Sequence, residues 1–357
     1  MTDKKIEELR KEIDKIDSET LVLLNKRADL AIQIGKIKKA TNSHVHFPAR
    51  ERELIERLSS QNKGPLNEEM IGAIYREVIS AVRSLENDLK ISYLGPPGTF
   101  THMAAISEFG SSSTFVPAGS IDDILADTER GRAEYGVVPV ENSTEGMVTR
   151  TLDLLVDTDL KIYGERFMPI HLYLLSKSNN LKEIKKVYSH YQPLAQAIGW
   201  LNTNMKGIPL EETPSTIYAA EKASTEVGAA AISSKYAASI HGLNILGEKI
   251  EDVSGNTTRF LILGNREREV TGNDKTSLIL STKNEPGALH RILELFAKES
   301  IDLTKIESRP MKKKVWEYLF FIDLKGHKDD PLIKKVLDRL AKEVTFLKIS
   351  GSYPVSR

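Results

Sequence analysis

Apolar residues at Ile6, Leu9, Ile13, Ile16, Leu23, Leu30, Ile34 and Ile37 recur in steps of three, four and seven, the spacing of one face of an α-helix. No Pro interrupts the run and Gly35 is only a weak breaker, so one long helix is predicted. The same register puts Thr20 and Arg27 on the apolar seam, where a cation must be paired, solvated or used. Lys38 follows eleven residues later, roughly three turns at about 3.6 residues per turn, so the two cations share nearly one face and could grip one dianion. Arg10 points elsewhere by the same count. A second helix opens at Pro48-Ala49-Arg50-Glu51, with Pro in its first turn and acids after it. A third runs through Ile71, Ile74, Tyr75, Val78, Ile79, Val82 and Leu85. Three such helices bury little surface alone, so a dimer is expected. On these residues alone, the cations could also be the solvated face of a dimerising coiled coil.

Beyond the polar linker Asn87-Asp88-Leu89-Lys90 the period changes to that of strands, at Ile91-Ser92-Tyr93-Leu94. This strand enters a turn-rich loop, Gly95-Pro96-Pro97-Gly98-Thr99-Phe100, that is neither a dinucleotide fingerprint nor a P-loop. The strand, polar cluster, helix order then repeats. Tyr135 to Val140 precedes Glu141-Asn142-Ser143-Thr144, Val187-Tyr188-Ser189-His190 precedes Gln192 to Gln196, and Ala229 to Ile232 precedes Ser233-Ser234. Such clusters are where open α/β sheets bind ligands, so they are expected to line one cleft. The last strand of the region, Thr258-Arg259-Phe260-Leu261-Ile262-Leu263, carries a hydroxyl and a fixed cation at its mouth, where both would meet an anion. Read structurally, the pair is a β-former and a strand-edge charge. After a second linker, Gly272-Asn273-Asp274, the order is strand, helix, strand, strand from Trp316, helix, strand, the βαββαβ string of ferredoxin-like domains.

Composition narrows the chemistry. Over 357 residues, 50 Lys and Arg balance 50 Asp and Glu, so no global field favours nucleic acid or membrane and an anionic substrate must be met by local cations. The chain has no Cys, which excludes disulfides and thiolate chemistry and fits a cytoplasmic protein. Its 8 His are scattered without ligand spacing, and no metal site is expected. The amino terminus lacks a signal-peptide core and no long uncharged apolar run occurs.

Three resemblances account for these patterns. Leu9-Arg10, Leu24-Asn25-Lys26-Arg27, Gly35-Lys36-Ile37-Lys38, Pro48-x-Arg50-Glu51 and Ser80-Ala81-x-x-x-Leu85-Glu86 resemble the all-helical chorismate mutases. That resemblance implies entwined subunits, with Arg10 crossing into the partner's site. Arg10, Arg27 and Arg50 would hold the substrate carboxylates, Lys38 would donate to the ether oxygen as the pericyclic transition state develops charge, and Glu51 would take a substrate hydroxyl. Glu86 falls where the family places a second donor to that oxygen, and a Glu donates only when protonated, so the mutase rate should fall as pH rises. Phe47 and Val82 depart from residues some relatives carry.

The clusters between residues 91 and 264 resemble prephenate dehydratases, implying two α/β lobes similar to periplasmic binding proteins. Thr258 would donate to the departing ring hydroxyl and Arg259 would fix a carboxylate. Thr99, Phe100, Glu141, Asn142, Ser143, Thr144, Ser189, Gln196 and Phe260 would complete the substrate site, with no cofactor. Asn284-Glu285-Pro286-Gly287-Ala288-Leu289 and Glu307-Ser308-Arg309-Pro310 resemble the two halves of the phenylalanine site in ACT regulatory domains, His290 departing from the usual aliphatic residue. The effector would then be held by Asn284, Gly287, Ala288, Leu289, Glu307, Ser308 and Arg309.

The expected architecture is thus a multidomain α and α/β chain: a helical mutase domain over 1–88, a two-lobed dehydratase domain over 91–266 and a ferredoxin-like ACT domain over 275–353. It would take chorismate and prephenate, answer to L-phenylalanine, and assemble as a homodimer or homotetramer without nucleic acid or membrane. A dehydratase whose helical arm only dimerises, and a non-catalytic amino-acid sensor, are the alternatives.

Overall fold

The computed structural model describes residues 2–40, 48–86, 88–283, 285–311 and 318–356. The chain forms two compact units, Met1–Leu89 with Ile106–Thr114, and Lys90–Ala105 with Phe115–Arg357.

The first unit is built on three helices, α1 (Thr2–Ala40), α2 (Pro48–Gln61) and α3 (Glu68–Glu86). α3 buries Ile71, Ile79, Val82 and Arg83 and packs against both other helices. α1 runs unbroken through the predicted register, yet Ile6, Leu9, Ile13, Ile16, Leu23, Leu30, Ile34 and Ile37 remain exposed. An apolar stripe of this length is far larger than a lone surface helix leaves open. Gly35 is not a break but a close approach, since a Cβ there would stand 2.7 Å from Glu86 Oε2. The expected turn at Asn42-Ser43 and the position of Phe47 lie outside the described residues.

The second unit contains three sheets. Its first lobe contributes β1 (Lys90–Leu94), α4 (Phe100–Phe109), whose end from Ile106 belongs to the first unit, β2 (Thr114–Ala118), counted from Phe115, α5 (Ile121–Glu129), β3 (Tyr135–Asn142), β4 (Gly146–Met147), α6 (Thr149–Asp157) and β5 (Lys161–Pro169). The chain then crosses to a second lobe of β6 (Tyr173–Ser176), β7 (Lys186–Ser189), α7 (Tyr191–Gln196), α8 (Ile198–Asn204), β8 (Leu210–Glu212), α9 (Thr216–Thr225), β9 (Ala229–Ser233), α10 (Lys235–His241) and β10 (Asn244–Gly247). It returns as β11 (Thr257–Gly264), which inserts between β3 and β5, antiparallel to both. The sheet orders are β2-β1-β3-β11-β5, with β4 beside β3, and β10-β6-β9-β7-β8. In the second lobe Ala219, Ala220 and Ala223 of α9 lie against Ala229 and Ala231 of β9, small residues that let helix and sheet approach closely. Ser215 and Ser234 cap α9 and α10 by accepting from Tyr218 N and Ala237 N.

The carboxy-terminal part follows the predicted string: β12 (Asp274–Ser281), α11 (Ala288–Lys298), β13 (Leu303–Pro310), β14 (Tyr318–Lys325), α12 (Pro331–Glu343) and β15 (Phe346–Pro354). They form one antiparallel sheet in the order β13-β14-β12-β15. Trp316, the expected start of β14, lies outside the described residues. Strand alternation gives this sheet two buried faces. Leu278, Leu280, Ile322 and Leu324 meet Ile292, Phe296, Ile333 and Val336 of the helices. Ile279, Phe321 and Tyr353 instead join Val138, Val140, Ile162, Leu261 and Leu263 of the first lobe in one core.

The two sheets meet closely at Gly351, where a Cβ would stand within 3.0 Å of the Ile162 backbone. Backbone cannot yield as a flexible side chain does, so overpacking here should cost about 1–3 kcal/mol. Gly351→Ala is expected to lower the thermal midpoint of the dehydratase and ACT part by several degrees, read by calorimetry against wild type.

Candidate active and regulatory sites

Thr258, the second residue of β11, has 8% of its surface exposed. Asn142, opposite it on β3, donates from Nδ2 to Thr258 Oγ1 at 2.9 Å and to Asn256 Oδ1 at 2.8 Å. Asn142 Oδ1 accepts from Thr144 N at 3.0 Å, Thr144 Oγ1 at 2.5 Å and Glu145 N at 3.2 Å. Backbone N–H groups only donate, so they fix which end of the amide is oxygen and hence which end faces Thr258. Thr258 Oγ1 is therefore an acceptor toward Asn142, and its own proton is left to point elsewhere. Ser143 ties the same turn to β11: its N–H donates to Thr257 O at 2.9 Å, and its Oγ accepts from Thr257 N at 2.9 Å.

The second lobe reaches this cluster through α7. Gln196 Oε1 accepts from Asn256 Nδ2 at 3.4 Å, and Gln196 Nε2 donates to Glu145 Oε1 at 3.3 Å. Gln192 Nε2 also donates to Glu145. Burial raises the Glu145 pKa, partly offset by the nearby His190. His190 caps α7, accepting from Gln192 N. The expected residues Asn142, Ser143, Thr144, Gln196 and Thr258 thus converge where the lobes meet.

Several others are directed elsewhere. Ser189 is fully buried and donates to Ile232 O at 2.7 Å. Thr99 donates to Leu94 O at 2.7 Å and accepts from His102 N at the start of α4. Phe100 packs on the second lobe's core, and Phe260 is core. Glu141 accepts from Lys305 Nζ, which also lies 3.0 Å from Met147 Sδ.

The expectation that Thr258 and Arg259 face one anion side by side is not what the strand does. Successive residues point to opposite faces, and Arg259, 7% exposed, turns to the ACT sheet. Its Nε and Nη2 contact Glu165 at 2.8 Å, Nη1 lies 2.8 Å from Asp323 Oδ2, and Nη2 donates to Tyr353 Oη at 3.0 Å. Burial alone would lower its pKa, but Tyr353, Asp323 and Glu165 outweigh burial and raise it. Burial pushes the Tyr353 hydroxyl well above its usual range.

In the helical unit, Arg27, Arg50, Glu51, Leu54 and Ile79 line a pocket of about 270 Å³. Gly35 admits the Glu86 carboxylate beside α1, three residues before Lys38. The Lys38 side chain itself is outside the described residues. Arg50 Nη1 donates to Glu53 Oε2 at 3.2 Å. Arg10 is exposed on α1, seventeen residues from Arg27, or about 25 Å at a rise of about 1.5 Å per residue. It cannot reach its own chain's pocket along the helix.

At the expected effector halves, Gly287 takes φ 79° as the N-cap of α11, a left-handed conformation glycine adopts at little cost. Ala288 is buried and Leu289 half-buried. On edge strand β13, Ser308 is exposed while Glu307 and Arg309 turn inward. Arg309 donates to Thr149 O at 3.0 Å and lies 3.7 Å from Asp153, so it braces α6. Asn284 lies outside the described residues.

Comparison with known proteins agrees with this arrangement. Residues 9–87 match the family described as chorismate mutase type II, 91–268 match prephenate dehydratase, and 276–342 match the ACT domain. A bifunctional chorismate mutase/prephenate dehydratase from Aquifex aeolicus is 48% identical, over 98% of each chain. The chain belongs to the bifunctional chorismate mutase/prephenate dehydratase family. Among solved structures, prephenate dehydratase from Arthrobacter aurescens in complex with L-Phe superposes with a TM-score of 0.69 at 32% identity, covering 75% of this chain and 90% of that one. A structure described as a novel type of quorum quenching acylase, GqqA, gives 0.68 at 28% identity, covering 75% and 98%. The chain carries a helical mutase domain, an α/β dehydratase domain and an ACT domain in that order.

Among the described residues no group of His, Asp and Glu could hold a metal ion, and no helix is long and apolar enough to cross a membrane. Residues overlooked in the sequence have identifiable signals. Asn256 stands two residues before Thr258, just ahead of β11, the spacing that extended backbone places on one face. Arg83 stands four residues after Ile79, hence on the pocket face of α3. It donates to Glu51 Oε1 at 3.0 Å and to Phe109 O, and it is buried. Arg83→Met would strip a partner from Glu51 and should destabilise the helical unit by roughly 2–3 kcal/mol while weakening mutase turnover, measured by denaturant titration and chorismate consumption.

Proposed function

We propose that Arg27, Arg50, Glu51, Glu86 and Lys38, with Arg10 of a second copy, bind and rearrange chorismate, and that Thr258 assists loss of the ring hydroxyl from prephenate. The product is phenylpyruvate, with L-phenylalanine as the feedback effector of the ACT domain. The observation that carries the dehydratase assignment is the orientation of the Asn142 amide, which occupies one lone pair of Thr258 Oγ1 and leaves its proton for a substrate acceptor.

The reaction needs little else. As the carboxylate carbon–carbon bond breaks, its electron pair enters the ring and the allylic carbon–oxygen bond breaks. Carbon dioxide leaves, and the hydroxyl departs as hydroxide, its charge met by a hydrogen bond from Thr258 and neutralised by a proton from solvent. A donor placed at that oxygen acts where charge develops in the transition state. The mutase step breaks one carbon–oxygen bond and forms one carbon–carbon bond within a single dianion, so fixed cations and a donor at the ether oxygen suffice. The open α1 seam and the reach of Arg10 support a homodimer in which two α1 helices cover each other, or a homotetramer built from it. The cysteine-free composition supports a cytoplasmic setting. The phenylalanine assignment is supported by the L-Phe complex of the Arthrobacter aurescens enzyme.

Thr258→Ala should lower turnover of prephenate by about 10²–10³-fold and leave chorismate consumption intact; full dehydratase activity in that variant would overturn the donor assignment. Arg27→Ala should abolish chorismate consumption and spare prephenate, whereas a helical arm that only dimerises would tolerate it. The mutase rate should fall as pH rises and Glu86 loses its proton, and Glu86→Gln, which always donates, should flatten that profile. Chorismate supplied alone should yield phenylpyruvate, less of it when phenylalanine is added.

A further inference from the structure

Arg259 lies between a catalytic residue and a regulatory domain. Its guanidinium is engaged on three nitrogens: Nε by Glu165, Nη1 by Asp323 and Nη2 by Tyr353. Glu165 belongs to β5, but Asp323 and Tyr353 come from β14 and β15 of the ACT sheet. The pairing continues on the ACT side. Lys275 Nζ contacts both oxygens of Glu165 at 2.8 and 3.1 Å, while Ser277 Oγ donates to Asp323 Oδ1 at 2.5 Å and meets Tyr353 Oη at 2.6 Å. The cations Arg259 and Lys275 balance the carboxylates Glu165 and Asp323, so a substrate carboxylate could be bound here only by displacing a buried partner. The backbone of β11 pairs with β5 in continuous register from Thr257 to Ile262, but is less regular on its other side. Its register against β3 shifts between Arg259 and Phe260, and a bulge leaves the local ladder disrupted. Arg259 sits immediately before that shift, and Thr258 one residue earlier.

We propose that Arg259 is a positioning residue held by the ACT sheet: Asp323 and Tyr353 fix its guanidinium, and Arg259 thereby fixes the strand end that presents Thr258 to Asn142. The regulatory domain is then part of the dehydratase scaffold, and its docking sets turnover rather than substrate affinity. This inference rests on Thr258 as the leaving-group donor.

The test uses the full chain with Asp323→Asn, Tyr353→Phe, Arg259→Gln and the Arg259→Gln/Asp323→Asn pair. Kinetics on prephenate and on chorismate are measured well below each variant's thermal transition. Tyr353→Phe keeps the ring and its packing, so it reports on the hydroxyl without depending on a disrupted core. Expected is a fall in dehydratase kcat of about tenfold or more in Asp323→Asn and Tyr353→Phe, with KM within about twofold, mutase kinetics unchanged, and the double variant no worse than its poorer single member, as for groups acting as one unit. The proposal is overturned if Asp323→Asn and Tyr353→Phe match wild type, or if Arg259→Gln raises KM for prephenate at unchanged kcat, the signature of a carboxylate ligand. Thr258→Ala in the same assay separates the two claims: full activity there removes the donor assignment, whatever the Arg259 variants do.

Discussion

A guanidinium buried between Glu165 and Asp323 is the constraint on which the dehydratase and ACT parts depend. An unpaired charge in such a place would be costly enough to forbid the packing, so each ion must find its partner before the apolar faces can close. The apolar contacts are not selective by themselves: Ile279, Phe321, Leu261 and Val140 could slide past one another in several registers. The ion network admits one register, because Arg259, Lys275, Glu165 and Asp323 neutralise one another only when β12, β14 and β15 sit where they do over β5 and β11. Lys305 with Glu141, and Arg309 with Asp153, extend the same charge matching along β13. Burial of Ile279 and Phe321 supplies the driving force, and the charges supply the alignment.

On the other face of β11 the chemistry is neutral and fine-grained. The chain of contacts from Glu145 through Gln196, Asn256 and Asn142 to Thr258 consists of carboxamides and hydroxyls, with one carboxylate at its far end. Carboxamides can be read in only one orientation once a backbone N–H addresses them, so two amides in the turn after β3 propagate a defined donor direction to Thr258. Gln196 brings the second lobe into the same chain, so the orientation of the hydroxyl is tied to the position of both lobes.

How much of this was legible in the sequence depends on the range of the interaction. The α1 helix, the strand to helix repeats and the βαββαβ string follow from periodicity, which is local. Asn142, Thr144 and Gln196 come together as expected because each sits in a polar cluster after a strand, where the topology of an α/β sheet already brings loops together. Arg259 was read as a carboxylate ligand because its residue type suits one and its neighbour Thr258 suits a leaving group; the alternation of a strand separates the two side chains, and Arg259 meets Glu165, Asp323 and Tyr353 instead. Asp323 and Tyr353 carried no signal at all. They lie 64 and 94 residues beyond Arg259, in a domain whose pattern explains its own fold, and nothing in that pattern says that its second face is also buried. Ser189 shows the same ambiguity at short range: a serine ending a strand is as well suited to satisfying a neighbouring carbonyl as to facing a ligand, and here its hydroxyl donates to Ile232 O.

The two units solve opposite electrostatic problems with one balanced composition. The dehydratase and ACT unit pairs its inward cations with carboxylates of the same chain, so Arg259, Lys275 and Lys305 are neutralised within the fold, and the groups that touch Thr258 directly are neutral, with Glu145 at the far end of the chain of contacts. The helical unit gathers Arg27 and Arg50 around a pocket, with Glu51 restrained by Arg83 and Glu86 admitted by the missing side chain of Gly35. A dianion that only rearranges must be gripped at both ends, whereas one that loses carbon dioxide and hydroxide must be released from charge as it becomes aromatic. A cationic cradle suits the first reaction. For the second, a fixed cation at the departing carboxylate would stabilise the charge that decarboxylation has to disperse, and the geometry that turns Arg259 away from Thr258 avoids that cost.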